Sequence, residues 1–238
     1  MKKYNIIGDL HGKDPLKYFD KEYINVFVGD YFDPYYDMPF VEQQENVLRL
    51  FNLKQQNPDN IVILLGNHDF HYICPGEKYS RYSSKHAHQI KQIFDEFEDL
   101  IDGIAYNAGG YLVTHAGVSP MWLKTHGIDE YKSIDDLVES INNLWWDKER
   151  RFYSFSFEYN GHAFDTYGTS CYQSPIWIRA QTLIELKSKI EFPQIVGHSQ
   201  FGDIVNYSQY KDIVQNINYT TFVDCLNYCD NTYKFEIE

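Results

Sequence analysis

The stretch Ile61-Val62-Ile63-Leu64-Leu65-Gly66-Asn67-His68-Asp69 constrains this chain more than any other. Five apolar residues in a row, three of them β-branched, read as a strand buried on both faces, the form strands take in a parallel sheet. Gly66 ends the run, and an amide, an imidazole and a carboxylate follow at the mouth of the sheet, where open α/β folds place their ligands. The same grammar occurs in Ile6-Ile7-Gly8-Asp9-Leu10-His11-Gly12 and in Val26-Phe27-Val28-Gly29-Asp30-Tyr31-Phe32-Asp33. It returns in Leu112-Val113-Thr114-His115-Ala116-Gly117 and in Ile195-Val196-Gly197-His198-Ser199. Five strand ends thus carry Asp, His or Asn beside Gly.

These side chains suggest a metal. Asp9 and His11 stand two apart, so at a strand terminus both turn toward one point, and carboxylate with imidazole suits Mn, Fe or Zn. Asp30 can bridge two cations through its two oxygens. Asn67 offers a carbonyl oxygen, and His115 and His198 bring imidazole nitrogens from far along the chain. One such residue is an ordinary turn residue; six, each behind a β-run and beside Gly, are not a coincidence. Glycine there lets the backbone turn sharply and lets a ligand approach.

The remaining chain reads as alternating strands and helices. A short helix is expected from about Pro15 to Lys21, then a turn-rich loop from Asp33 to Pro39, since each proline disfavours helix in the residue before it. A helix with Val47, Leu48, Leu50, Phe51 and Leu53 on its apolar side follows, closing a parallel strand-helix-strand unit. Phe70 to Ser84 reads as an irregular insertion, and Ser84 to Ile101 as a helix on which His86 and His88 face solvent. Helices are predicted near Pro120 to Thr125, from Ser133 to Arg150 with a capping start, and from Ala180 to Ile190. Trp145 and Trp146 read as core, and Arg151 to Tyr172 shows no period. Late strands at 194–197, 203–207, 213–217, 220–224 and 232–237 suggest antiparallel pairing. The expected architecture is one domain over residues 1–238, with two stacked sheets and helices outside.

Composition narrows the partners. With 21 basic against 34 acidic residues the net charge is −13, which argues against a nucleic-acid backbone or an anionic membrane as partner. Bound divalent cations would offset part of that charge. Met1-Lys2-Lys3 leads straight into the first strand without an apolar leader, and no run approaches a membrane span, so a cytoplasmic location is expected. Cys74, Cys171, Cys225 and Cys229 form no metal-knuckle or disulfide pattern and are expected as reduced thiols.

In order, Gly8-Asp9-Leu10-His11-Gly12, Gly29-Asp30-Tyr31-Phe32-Asp33, Gly66-Asn67-His68-Asp69, Thr114-His115-Ala116-Gly117 and Gly197-His198-Ser199 resemble the five motifs of the calcineurin-like metallophosphoesterase superfamily. The similarity is closest to its bacterial and phage serine/threonine protein phosphatase-like branch. The resemblance implies a four-layer α/β-β/α sandwich of two mixed β-sheets and a dinuclear centre of two divalent ions, manganese first and iron or zinc as alternatives. It would place Asp9, His11 and Asp30 on the first metal, and Asp30, Asn67, His115 and His198 on the second. Two cations lower the pKa of a shared water, so a bridging hydroxide can attack phosphorus in line. His68 would then be the general acid for the leaving oxygen. Asp33 would either accept a hydrogen bond from His68 and keep its imidazolium charged, or cap the turn before Pro34. Arg179, with Asn67, would bind substrate, Arg179 gripping the phosphate bidentately; the alternative for Arg179 is a surface arginine at a helix start.

Two positions depart from the family. Pro34-Tyr35 replaces an Arg-Gly pair, which removes one phosphate-binding arginine, and Gln200 stands where a second histidine is common. The expected activity is hydrolysis of phosphomonoesters on a protein or small molecule, phosphoserine and phosphothreonine included. A phosphodiesterase or dinucleoside polyphosphate hydrolase is the alternative on the same core. A noncatalytic scaffold is a third reading, disfavoured because such proteins lose ligands and this chain keeps them.

Overall fold

The apolar run at Ile61 forms its strand, and every residue from Ile61 to Leu65 is buried. A computed structural model of the chain describes residues 1–74, 78–146, 167–186, 190–200 and 220–237, with the backbone of 158–159, 162–163 and 205–206. In chain order the elements begin β1 (Lys2–Ile7), β2 (Ile24–Phe27), α1 (Phe40–Gln56), β3 (Ile61–Ile63), α2 (Asn67–Ile73) and α3 (Ala87–Glu96). They continue with β4 (Ala105–Ala108), β5 (Tyr111–Thr114), α4 (Pro120–Thr125), α5 (Ile134–Trp146), β6 (Glu158–Tyr159) and β7 (His162–Ala163). The last are α6 (Ala180–Glu185), β8 (Gln194–Val196), β9 (Val205–Asn206), β10 (Thr220–Phe222) and β11 (Tyr233–Ile237).

Two mixed sheets result. The first runs β11-β1-β2-β3, with β1, β2 and β3 parallel and β11 antiparallel on β1. The second runs β4-β5-β8-β10-β9, with β5, β8 and β10 parallel and an antiparallel strand at either edge. Side chains alternate across each strand, which decides the layers. Tyr4, Ile6, Val26, Val28, Val62 and Leu64 point from the first sheet onto Ala108, Val113, Ile195 and Val223 of the second. Each large aliphatic group buried there contributes about 1.5–3 kcal/mol, so this dry seam holds the two sheets in fixed relation. The opposite faces carry the helices: Ile7, Phe27 and Ile63 meet Leu50 and Phe51 of α1, and Val196 and Phe222 meet Leu183 of α6. The chain is therefore an α/β sandwich of two sheets flanked by helices.

Several expectations change in detail. The segment from Phe70 is not irregular throughout: α2 starts at Asn67, because Gly66 supplies an extended N-cap and Asp69 returns its carboxylate to the Gly66 N–H at 2.9 Å. The helix expected at Pro15 is a single 3₁₀ turn, Pro15–Lys17, and α6 ends at Glu185 rather than near Ile190. Trp145 is core, whereas Trp146 is 44% exposed. The antiparallel pairing expected of the late strands holds for β9 on β10 and for β11 on β1, whereas β10 lies parallel to β8 and β11 returns to the first sheet. The strand expected at 213–217, and most of the segment from Arg151 to Tyr172, lie outside the described residues. His86 is half-buried and stacks on Phe40 at 4.0 Å, while His88 is exposed. Among the described residues no disulfide joins Cys74, Cys171, Cys225 or Cys229. Among the described residues no helix is long and apolar enough to cross a membrane.

Candidate metal centre

Parallel strands of both sheets end on one edge, and their C-terminal ends deliver β1 to Asp9, β2 to Asp30, β3 to Asn67, β5 to His115 and β8 to His198. All of these side chains, with His11, are buried. Asp9, His11 and Asp30 bring donor atoms within 4.8 Å of one another, and so do Asp30, His115 and His198; Asp30 is common to both groups. Asn67 joins the second group, with Oδ1 3.0 Å from His115 Nε2. His115 Nε2 is also 3.5 Å from Asp30 Oδ2, and His11 Nε2 is 3.7 Å from the same oxygen.

The histidine tautomers show what this cluster fits. His115 Nδ1 donates to the Val28 carbonyl at 2.9 Å and His11 Nδ1 to the Phe32 carbonyl at 3.1 Å. The His198 ring likewise bonds the Trp177 backbone. Burial lowers the pKa of all three, His115 to about 3, so each ring is neutral and carries a single N–H. The remaining nitrogen is a lone pair. At His115 it faces carboxylate and amide oxygens, and at His11 and His198 Nε2 is buried without a hydrogen-bond partner among the described residues. Lone pairs pointing at lone pairs are repulsive unless a cation sits between them, and a backbone carbonyl on the far ring nitrogen is how metal-bound imidazoles are oriented. Burial, reinforced by neighbouring carboxylates, raises Asp9 and Asp30 well above the ordinary carboxyl range, a penalty a divalent ion would relieve. The donor set is carboxylate, imidazole and amide without thiolate, and it fits Mn, Fe or Zn.

The backbone is bent to make this arrangement. Among the described residues, His11, Asp30, Asp33, Arg81 and His198 are the non-glycine residues with positive φ, between 44° and 62°. Such conformations cost about 1–3 kcal/mol each and cluster at functional sites. Glycine beside the ligands has a steric reason besides the turn: a Cβ on Gly66 would strike the Asp30 carboxylate and the His115 ring, and one on Gly197 the Asp9 carboxylate.

Beside the cluster stands His68, its ring centroid 5.3 Å from that of His11. His68 Nδ1 meets Asp33 Oδ2 at 2.9 Å, and Asp33 is also held by His71 Nε2 at 2.8 Å and by the Tyr72 hydroxyl at 2.5 Å. Although burial pushes the Asp33 carboxyl up, the bonds from His68 and His71 bring it below its ordinary value. Of the two readings of Asp33, the structure thus shows the contact with His68. The imidazolium is nevertheless not maintained: burial outweighs Asp33 and lowers His68 to about 4, so the resting ring is neutral. Arg179 lies at the start of α6 with its guanidinium 3.4 Å from the His198 carbonyl and 3.3 Å from that of Tyr167. Gln200 accepts a bond from the Tyr228 hydroxyl at 3.4 Å.

Five residues escaped the sequence reading. Asp69 takes backbone N–H groups from Gly66, Asp30 and Tyr31, joining two ligand loops. His71 and Tyr72 support Asp33, and Arg81 reaches His68 Nε2 at 3.2 Å. Asp224 follows β10 on the same edge as the other ligands, is buried, and adds to the raised pKa of Asp9. Its strand-end position was a usable signal, but no glycine accompanies it.

Comparison with known proteins agrees with this geometry. The model of the calcineurin-like phosphoesterase family matches residues 2–178, and the chain belongs to that family. A cold-active protein-tyrosine phosphatase from a psychrophilic Shewanella species shares the fold, with 16% identity and a TM-score of 0.55 over 94% of this chain and 71% of that one. A yeast serine/threonine phosphatase described as similar to human PP5 aligns with 20% identity and a TM-score of 0.48, over 96% of this chain and 69% of its own. The chain is a hydrolase of phosphoesters by family, with His/Asp groups able to bind divalent metal.

Proposed function

We propose that the chain is a metal-dependent phosphomonoesterase, with phosphoserine and phosphothreonine side chains among its substrates. The observation that carries this is the His68 ring, fixed by Asp33 at the rim of a cluster of convergent carboxylate, imidazole and amide side chains. One ion would be held by Asp9, His11 and Asp30, and the other by Asp30, Asn67, His115 and His198. When bound, such a pair supplies an activated water and neutralises charge on the phosphoryl group.

The remaining work falls to side chains. His68 presents Nε2 to the leaving oxygen and delivers a proton there, taken up together with the anionic substrate because the free ring is neutral. Asp33 fixes the ring plane, and His71 and Tyr72 keep Asp33 from rotating. Asn67 and Arg179 grip phosphoryl oxygens from the opposite side. Manganese is the ion to try first, since oxygen and imidazole donors dominate.

The test is turnover by the manganese-loaded chain. Hydrolysis of p-nitrophenyl phosphate and of a phosphoserine peptide, abolished by chelation, is the expected result. Much faster turnover of bis-p-nitrophenyl phosphate would overturn the monoester assignment in favour of the diesterase. Absence of turnover with manganese, iron or zinc would leave the scaffold.

A further inference from the structure

We propose that Arg81 is the arginine that grips the substrate's phosphoryl group on the leaving-group side, replacing the one lost where Pro34-Tyr35 stands. The inference rests on the phosphomonoesterase reading above. Arg81 lies beyond α2, far in sequence from every expected site residue except the Asn67 motif. It is an exposed residue, yet its guanidinium folds inward and lies on the face of the Tyr35 ring, 3.6 Å from the centroid. That ring in turn meets His11 edge-on at 4.5 Å, so one aromatic thickness separates Arg81 from the metal cluster. Nε donates to the Asp33 carbonyl at 3.1 Å.

Three features mark a ligand site rather than a structural tie. First, among the described residues Arg81 pairs with no carboxylate; its second nitrogen contact is His68 Nε2 at 3.2 Å. Even with a further bond to the Tyr35 hydroxyl, a guanidinium has more N–H groups than these contacts use, and an anion would complete them. Second, the guanidinium meets His68 at Nε2, the nitrogen that the phosphomonoesterase reading turns toward the leaving oxygen, so Arg81 and His68 converge on one point beside the donor cluster. Third, Arg81 is at φ 62°, and the other non-glycine residues in that region among those described are His11, Asp30, Asp33 and His198. Strain of this kind persists where the surrounding structure demands it, and an exposed residue outside a site has no such demand.

The pairing with Tyr35 explains the departure from the family. An aromatic plate orients a planar guanidinium by stacking, so the loop after Asp33 supplies the support and the segment after α2 supplies the cation.

The experiment compares manganese-loaded wild-type chain with Arg81→Ala, Arg81→Lys and Tyr35→Leu. Turnover of p-nitrophenyl phosphate, competitive inhibition by inorganic phosphate, calorimetric binding of inorganic phosphate and bound metal are measured for each. Arg81→Ala is expected to raise KM and weaken phosphate about ten- to a hundredfold with metal content unchanged, the loss of a charge-assisted contact. Arg81→Lys should recover part of the affinity and Tyr35→Leu should weaken phosphate about two- to fivefold. Arg81→Ala and Arg81→Lys both within twofold of wild type would overturn the assignment. A wild type that binds phosphate through Arg81 but turns over no ester sinks the phosphomonoesterase reading alone. A wild type that does neither sinks both.

Discussion

Asp33 shows how much one carboxylate can organise. One oxygen faces His68 Nδ1 and His71 Nε2, the other the Tyr72 hydroxyl, and its carbonyl takes Arg81 Nε. Because its folded pKa is depressed, its contribution to stability is present above the ordinary value near 4 and is lost as pH falls through the folded value. His68 is the residue this network aims. Replacing His68 with Asn keeps a hydrogen-bonding group of similar size but removes the titratable nitrogen. Turnover of a poor leaving group such as an alkyl phosphate should fall by about two to four orders of magnitude, with metal content intact. An equal rate constant in single-turnover assays would remove His68 from proton transfer. The six residues expected on metal and the His68/Asp33 pair were legible because each stands in a short motif behind an apolar run. Asp69, His71, Tyr72 and Arg81 were not, since their roles arise from contacts across sequence gaps: Asp69 with Tyr31, His71 and Tyr72 with Asp33, and Arg81 with Tyr35.

At the scale of elements, α2 is the joint between the two ligand loops. Its N-terminal turn sets Asn67 and His68, and the His68 N–H holds Asp30 Oδ1 at 2.8 Å. Asp69 caps that turn and at once takes the N–H groups of Asp30 at 2.7 Å and Tyr31 at 2.9 Å. Burial drives its carboxyl up to about 7, while those three backbone donors favour the ionised form. Asp69→Asn therefore substitutes an N–H₂ for one accepting oxygen and leaves buried backbone donors facing it. The expected cost is about 1–3 kcal/mol in urea unfolding, with weaker metal binding because both loops loosen. Unchanged stability together with unchanged metal affinity would mean that the cap does not tie the loops. This helix was hidden in the sequence because seven residues give no 3.6-residue period, and all seven are buried. Strand β4 was hidden for a related reason, as Ala105-Tyr106-Asn107-Ala108 has no run of large apolar residues and is placed by pairing with β5. By contrast α1, α4 and the start of α5 followed from proline, capping and apolar spacing.

Across the whole molecule, the two sheets bring the donors of β1, β2 and β3 against those of β5 and β8, so metal binding and folding are linked through the seam at Val28, Val113 and Ile195. The two-sheet architecture was legible from a parallel first half followed by short late strands of different pairing; the return of β11 to the first sheet was not, because register depends on the partner edge rather than on local pattern. The linkage has a definite sign. His11, His115 and His198 have folded pKa values below their ordinary one, so the metal-free protein loses stability as pH falls below about 6.5 and the unfolded chain takes up protons. Asp9 and Asp30 have raised values, so their contribution is present below about 4 and is lost as pH rises through the folded values, where buried charges meet. A divalent ion needs both kinds of ligand deprotonated and relieves the carboxylate repulsion. The rise in Tm on adding manganese should therefore grow from pH 5.5 to pH 8, and at about a hundredfold excess over Kd the stabilisation is about 2.7 kcal/mol, or roughly 5–10 °C. Chelation should reverse it. A gain that is flat or shrinks as pH rises would show that the ion binds elsewhere than among these buried acids and imidazoles.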